Sequence, residues 1–424
     1  MKLKSSYFHL VVFLLCFIII VSRRTDAILN PQFWAEDGTV FYADAYNRGI
    51  FGSFFLPYAG YLHFFPRLTA ALSVAFPLKA APFIFNLISI TIKILPVNFL
   101  VSSRFSKLIP NITHRFFISF IYLALPGCSE INANLTNSQW HLALVLFMIF
   151  VTQSPKHFRS LIDYIFILLC GLTGPFSIII MPIVLFLVIS KRYQNTFGLN
   201  KHILRLKFLL LSVTAIIQIV TIFFIDNGRR TSLKTDLSLL DIDVIGTMSQ
   251  ILVNQLFLIS TVGTKITATI IQNSDNYNIL RSLIITLGVA LLIYLLIKSP
   301  PFFRLLIVYS SLIPIIAIFL KFPNINEFTL VGASGRYWFS LILCVSLGIL
   351  WFSYKMYDKS ILQKILSTSL LLLMSVGIVS DWLHPPYNDF QFAKYANEFA
   401  EMSPGREIKI PINPSPWTMD LIKK

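Results

Sequence analysis

Apolar runs of about twenty residues recur from one end of this sequence to the other, and nothing else limits its fold so tightly. A membrane-crossing helix needs about 20 mostly apolar residues. Within a bilayer the backbone satisfies its own hydrogen bonds only as helices or closed barrels. The 424-residue chain is 56% hydrophobic with a mean hydropathy of +0.73, beyond the composition of ordinary globular domains. It reads as an all-α, polytopic integral membrane protein. About eleven spans are predicted: residues 7–21, 82–102, 116–128 and 140–152, two short helices within 161–190, then 208–225, 279–297, 305–320, 337–354 and 361–379.

The formal net charge of +16 would suggest nucleic acid in a soluble chain. In a membrane protein Lys and Arg collect in inner loops and set topology, so no nucleic-acid partner is expected. Lys2 and Lys4 place the N-terminus inside, and the first loop is then outside. Residues 104–115 and 191–207, with Lys156, Arg159, Lys298, Arg304, Lys355 and Lys359, mark inner loops. Acidic residues were not used in that assignment, yet Asp226, Asp236, Asp241, Asp243 and Asp275 fall outside, and only Asp163 and Asp358 fall inside.

The resulting segments are 1–22 (inner terminus and first span), 23–81 (outer loop with interfacial helices), 82–225 (membrane bundle), 226–278 (outer loop), 279–380 (membrane bundle) and 381–424 (outer, Pro-rich tail). Within 226–278, Gln250, Asn254 and Gln255 favour a half-buried amphipathic helix for residues 244–262 over a crossing. Residues 171–175, G-L-T-G-P, break the 161–190 run into a hairpin. The backbone groups freed there must face protein or a water-filled cavity. The four cysteines lie in or beside apolar spans without C-x-x-C spacing, so neither a disulfide framework nor a zinc site is expected. Phosphate-loop, dinucleotide-binding, H-E-x-x-H and G-x-S-x-G patterns are absent.

The chemistry concentrates in residues 34–67. Glu36, Asp37 and Asp44 stand here, followed by His63 and Arg67. A carboxylate at a membrane surface can act as general base for a hydroxyl or hold a divalent cation. The alternative is structural: Asp37 before Gly38 has the pattern of a helix N-cap. If 39–48 is helical, positions 37 and 44 share a face. An Arg at the depth of Arg67 needs a partner, and phosphate is a suitable one. Asn137, Gln139, Trp140 and His141 follow a polar outer loop and suit sugar hydroxyls. Arg336, with Tyr337 beside it, is a second candidate phosphate contact.

Five stretches together carry a family resemblance: W-A-E-D-G, P-Y-A-G-Y-L-H-F-F-P-R, L-T-N-S-Q-W-H-L-A-L, L-T-G-P-F and the tail P-I-N-P-S-P-W. The chain resembles the GT-C type of multi-pass glycosyltransferase that uses polyprenyl-phosphate sugars. More narrowly, it is similar to bacterial and prophage O-antigen glucosyltransferases, which convert serotype. The resemblance implies a bacterial inner-membrane enzyme with a periplasmic active face. It would transfer glucose from undecaprenyl-phosphate-glucose to lipid-linked O-antigen of the lipopolysaccharide pathway. Asp37 or Glu36 would be the catalytic carboxylate, with Asp37 preferred. Membrane lipids, a flippase and a donor-lipid synthase would be partners. No cofactor is implied. A divalent cation stays open, because the pair is E-D and not D-x-D. The competing readings are an O-antigen polymerase or other lipid-linked glycosyltransferase, and a flippase or transporter. Transporters place ionisable groups near mid-membrane, and here the spans are nearly free of them, apart from Lys93 and Asp163, which lies near an inner end.

Overall fold

A computed structural model of the chain describes residues 5–155, 159–225, 242–274, 276–321, 325–357 and 360–424. Lys2, Lys4, Lys156, Asp226, Asp236, Asp241, Asp275, Asp358 and Lys359, used above for topology, lie outside the described residues, as do the side chains of Arg159 and Asp243.

Each of the eleven predicted segments is helical. Among the described residues eight helices are long and apolar enough to cross a membrane, so the chain is a polytopic, mainly helical membrane protein. The helices Ile112–Ala124, Ser138–Val151 and Ser160–Gly171 are shorter, and Phe176–Ile189 reaches span length only with the Lys191–Phe197 helix, bent from it by 94°. One predicted span is displaced: 116–128 is found as Ile112–Ala124. Asn111 starts it by accepting a hydrogen bond from the Thr113 amide at 2.8 Å, and Pro126 pushes Leu125 out of helical geometry.

Residues 244–262 depart from expectation. They belong to a run, Val244–Asn273, that is itself long and apolar enough to cross. Two of the three polar residues that argued against a crossing are paired internally. Asn254 donates to the Thr329 carbonyl at 2.9 Å and Gln255 to that of Phe328 at 2.8 Å. Buried polar groups with partners carry no signal of a wet face.

The helices gather into two compact units. One comprises Met1–Lys107, Ile131–Arg230 and Pro385–Lys424; the other comprises Leu108–Glu130 and Thr231–His384. The second unit holds the helices Tyr277–Lys298, Pro301–Lys321, Gly335–Met356 and Ile361–Ser380. Asp381 ties it together by accepting from the amides of Gly127 (3.0 Å), Thr264 (2.7 Å) and Lys265 (3.2 Å).

In the first unit, all fourteen residues of Ser138–Val151 are buried. A helix apolar all round belongs in the middle of a bundle. The expected break at 171–175 is present between Arg159–Gly171 and Phe176–Ile189. Its freed carbonyls face protein: the Gln218 amide donates to Gly174 at 3.1 Å and Gly171 at 3.4 Å, and the Phe64 amide donates to Leu172 at 3.1 Å.

The tail is more ordered than its proline content suggested. It forms the helix Phe392–Glu401 and an antiparallel pair of strands, Glu407–Pro411 and Thr418–Ile422, with Lys409 opposite Asp420. Alternation in I-K-I and M-D-L puts Ile410, Met419 and Leu421 on one face. That face is buried in one cluster with Phe33, Phe41, Tyr42 and Phe85. Each such side chain contributes about 1.5–3 kcal/mol on burial, enough to hold the tail on the first outer loop.

Candidate active site

The W-A-E-D-G stretch is a tight entry to a helix, and three separate parts of the chain hold it. Ala35 has a left-handed backbone (φ 37°), a costly geometry for a residue with a Cβ. The tail fixes it: the Ala35 amide donates to the Asn413 carbonyl, and the Asn413 amide donates to Phe33 at 3.2 Å. Trp34 stacks on Tyr387, ring centroids 4.9 Å apart, and the Arg24 guanidinium lies 4.1 Å from the same Tyr387 ring. Gly38 is small because a Cβ there would lie 2.8 Å from the Ile412 side chain.

Asp37 opens a π-helical turn, Asp37–Tyr42, which continues as the helix Ala43–Arg48. It is not an N-cap. Glu36 before it is already helical, and no side chain caps the turn. The Asp37 carboxylate reaches across to residues 135 and 136 instead. Oδ2 accepts from the Leu135 amide at 2.9 Å, and Oδ1 accepts from the Thr136 amide at 2.7 Å and hydroxyl at 2.6 Å. The side chain is 1% exposed. Burial pushes its pKa up to about 7; the Thr136 and Leu135 donors oppose that, and the neighbouring Glu36 charge adds to it. Glu36 is half-buried.

Asp44 does not join Asp37. The wider π turn changes the register between them, and Asp44 pairs with Arg67 at 2.7 Å and Arg48 at 3.1 Å. Two expectations change with that contact. Asp44 is the counter-ion of Arg67, shared with Arg48, and Arg67, buried beside the Phe41 ring, already bonds that carboxylate. A phosphate at Arg67 would have to displace a carboxylate.

His63 sits in an aromatic box. Its ring centroid is 4.6 Å from Tyr61, 5.3 Å from Phe41 and 5.8 Å from Tyr58. The ring is 2% exposed, and neither nitrogen makes a full hydrogen bond. Burial, then the Arg67 charge, bring its pKa down to about 3, with a Tyr58 backbone group opposing them. His63 is therefore a neutral imidazole. Its neighbours Leu62–Phe65 are stitched to the helix break: Gly174 donates to Leu62 at 3.0 Å, and the Phe65 amide donates to the Thr173 hydroxyl at 3.0 Å.

The polar residues of the second outer loop mostly shape the loop itself. The Asn137 side chain accepts from the Trp140 indole at 3.2 Å, and His141 Nε2 pairs with the Ile131 carbonyl at 3.1 Å. All three residues are buried. Gln139 is buried with its Oε1 unpartnered. Arg336 and Tyr337 belong to the other unit. There Arg336 is paired with Glu130, through its guanidinium and through its amide at 3.0 Å, and lies over the Tyr337 ring.

Sequence reasoning missed Arg24, Tyr387 and Asn132. Arg24 donates to the Asn132 carbonyl at 3.1 Å, and Lys93 donates to its Oδ1 at 2.5 Å, so two cations meet at this loop. The signal available was R-R-T-D directly after the first span: an interfacial pair of arginines is ordinary, but an acidic residue beside it marks a bonded corner. Among the described residues no group of three His, Cys, Asp or Glu side chains is placed to hold a metal ion.

No family model matches the sequence, and no curated protein matches it. Among solved structures the chain is similar to the crystal structure of the Archaeoglobus fulgidus oligosaccharyltransferase in complex with zinc and sulfate. Identity is 11%, the match covers 93% of this chain and 56% of that chain, and the TM-score is 0.44. The chain thus spans little more than half the length of that protein, and a likeness at this score decides neither fold family nor activity.

Proposed function

We propose that the protein is a membrane glycosyltransferase of the GT-C kind, acting at the outer face of a bacterial inner membrane. In this reading it moves glucose from undecaprenyl-phosphate-glucose to lipid-linked O-antigen, altering serotype. One observation carries the reading. The five sequence stretches behind the resemblance are far apart in the chain, yet they lie in one unit and are bonded in two sets. W-A-E-D-G is joined to L-T-N through Asp37 and to the P-I-N-P tail through Asn413; P-Y-A-G-Y-L-H-F-F-P-R is joined to L-T-G-P.

In this reading the acidic pair divides the labour. Both Asp37 oxygens are engaged, so Asp37 positions the second outer loop. Glu36, beside it and partly open to solvent, takes the proton of the acceptor hydroxyl. In an inverting transfer that oxygen forms a bond to the anomeric carbon as the bond from that carbon to the phosphate oxygen breaks. The electron pair leaves with polyprenyl phosphate. Arg24 and Lys93, meeting at Asn132, are the cations this arrangement offers to the leaving phosphate, and Arg67 serves by holding Asp44.

The test uses membranes with matched protein levels, supplied with the lipid-linked glucose donor and O-antigen acceptor. Glu36→Gln should lower kcat by roughly 10²–10⁴-fold, the usual worth of a general base, with donor KM little changed. Full activity in Glu36→Gln with loss in Asp37→Asn would transfer the base to Asp37. Full activity in both variants would remove this loop from the chemistry.

A further inference from the structure

We propose that the first unit carries a phosphate-binding pocket at its predicted inner end, separate from the candidate active site and independent of the function proposed for it. The pocket is a cavity of about 230 Å³ between the end of the Ser138–Val151 helix, residues 152–154, and the start of the Lys201–Val220 helix. That is room for a phosphate and several waters, at about 30 Å³ of liquid volume each. Thr152, Gln153, Ser154 and Asn200 give it polar walls, and Lys207 reaches it from below.

Its charge is unbalanced. Asp163, fully buried, is shared by two cations: Arg104 at 2.6 Å and Lys207 at 2.7 Å. Lys207 also donates to the Ile149 carbonyl at 3.1 Å, and Arg104 donates to the Thr152 hydroxyl at 3.3 Å. The three-membered cluster therefore holds one net positive charge. A fourth group adds to it. Lys107, just outside the lining, donates from Nζ to the Asn195 carbonyl at 3.2 Å and stands 2.5 Å from where a Cβ on the pocket's Gly198 would lie, and Gln153 lies over the same glycine. No carboxylate occurs between residues 191 and 207, while Lys191, Arg192, Lys201 and Arg205 do.

A buried net charge is costly unless a counter-ion meets it. Basic pockets between membrane helices on the cytoplasmic side suit phosphate headgroups, and the inner leaflet supplies them. The chemistry is that of a phosphate mono- or diester bonded to Lys207 and to the Thr152–Ser154 segment, with Lys107 beside it. An anionic phospholipid headgroup and free phosphate both present it.

The experiment is binding and thermal unfolding of the full chain in nanodiscs. The discs contain a phosphate-free galactolipid alone, the galactolipid with phosphatidylglycerol, or the galactolipid with inorganic phosphate at matched ionic strength. A rise in Tm with phosphatidylglycerol only identifies a lipid headgroup site; a rise with inorganic phosphate as well identifies a site for the free ion. Lys107→Gln, an exposed change that does not threaten folding, and Lys207→Met, which leaves Asp163 paired with Arg104, should each weaken the bound phosphate about tenfold, the worth of one charged hydrogen bond. No shift with either phosphate source, or an unchanged shift in both variants, would overturn the proposal.

Discussion

Removing the Asp37 carboxylate tests how the outer loops are held together. In Asp37→Ala the amides of Leu135 and Thr136 lose their acceptor in a buried place, and the Thr136 hydroxyl loses it too. A buried donor left unpaired costs about 1–3 kcal/mol. The hydroxyl can turn to another acceptor, but the two backbone groups cannot, so the loss is about 2–6 kcal/mol. Asp37→Asn keeps one oxygen and presents an NH₂ to one of the donors, so a loss of about 1–3 kcal/mol is expected. The assay is denaturant unfolding of the purified protein in mild detergent, read by tryptophan fluorescence and by proteolysis within residues 131–137. The order should be wild type, then Asn, then Ala, with cleavage of that loop appearing first in Ala. An Ala variant within about 0.5 kcal/mol of wild type, the usual size of a surface change, would refute the reasoning, as would an Asn variant as unstable as Ala.

Three further outcomes follow from the same contacts. His63 has a folded pKa of about 3 against an ordinary 6.5, so the native state binds fewer protons in that window; its stabilising effect is full above pH 6.5 and is lost as pH falls toward 3. His63→Phe should therefore show a smaller drop in unfolding midpoint between pH 8 and pH 5 than wild type, and equal drops would count against the buried neutral ring. For the Arg67–Asp44 pair, Asp44→Asn should cost more than Arg67→Met, because it strands the buried Arg67 whereas Arg67→Met leaves Asp44 paired with Arg48; Asp44 is partly exposed, so each single loss should fall below the 3–5 kcal/mol of a fully buried pair, and strict additivity of the two changes would contradict the pairing. Reporter fusions after Asp44 and Asn413 should read outside and those after Lys107 and Lys201 inside; an inside reading at Asp44 would remove the proposed enzyme from the outer face.

What the sequence made legible was what is local. Twenty-residue apolar runs need no partner to be recognised, and G-L-T-G-P could be read as a break because glycine and proline act on their own turn. Asn254 and Gln255 misled because polarity in a helix looks the same whether the side chain meets water or a carbonyl 75 residues away. Asp163 could be placed near an inner end, but its partners come from two other helices. The site was half visible. The carboxylates and Arg67 stood out against an apolar background, while the pairing that separates Asp37 from Asp44 depends on a π turn that has no signature in residue type.

The tail's grip on the first outer loop has a consequence for how the protein is made. The Thr39 hydroxyl donates to the Thr418 carbonyl, 379 residues further along. At roughly 5–20 residues per second, the ribosome needs about 20–80 s to deliver that partner after the first loop has emerged. Throughout that interval Phe33, Phe41 and Tyr42 wait at the membrane surface without their cover. The contacts around Phe33, Phe41 and Tyr42 are therefore completed only after the helices between residues 81 and 380 have been made.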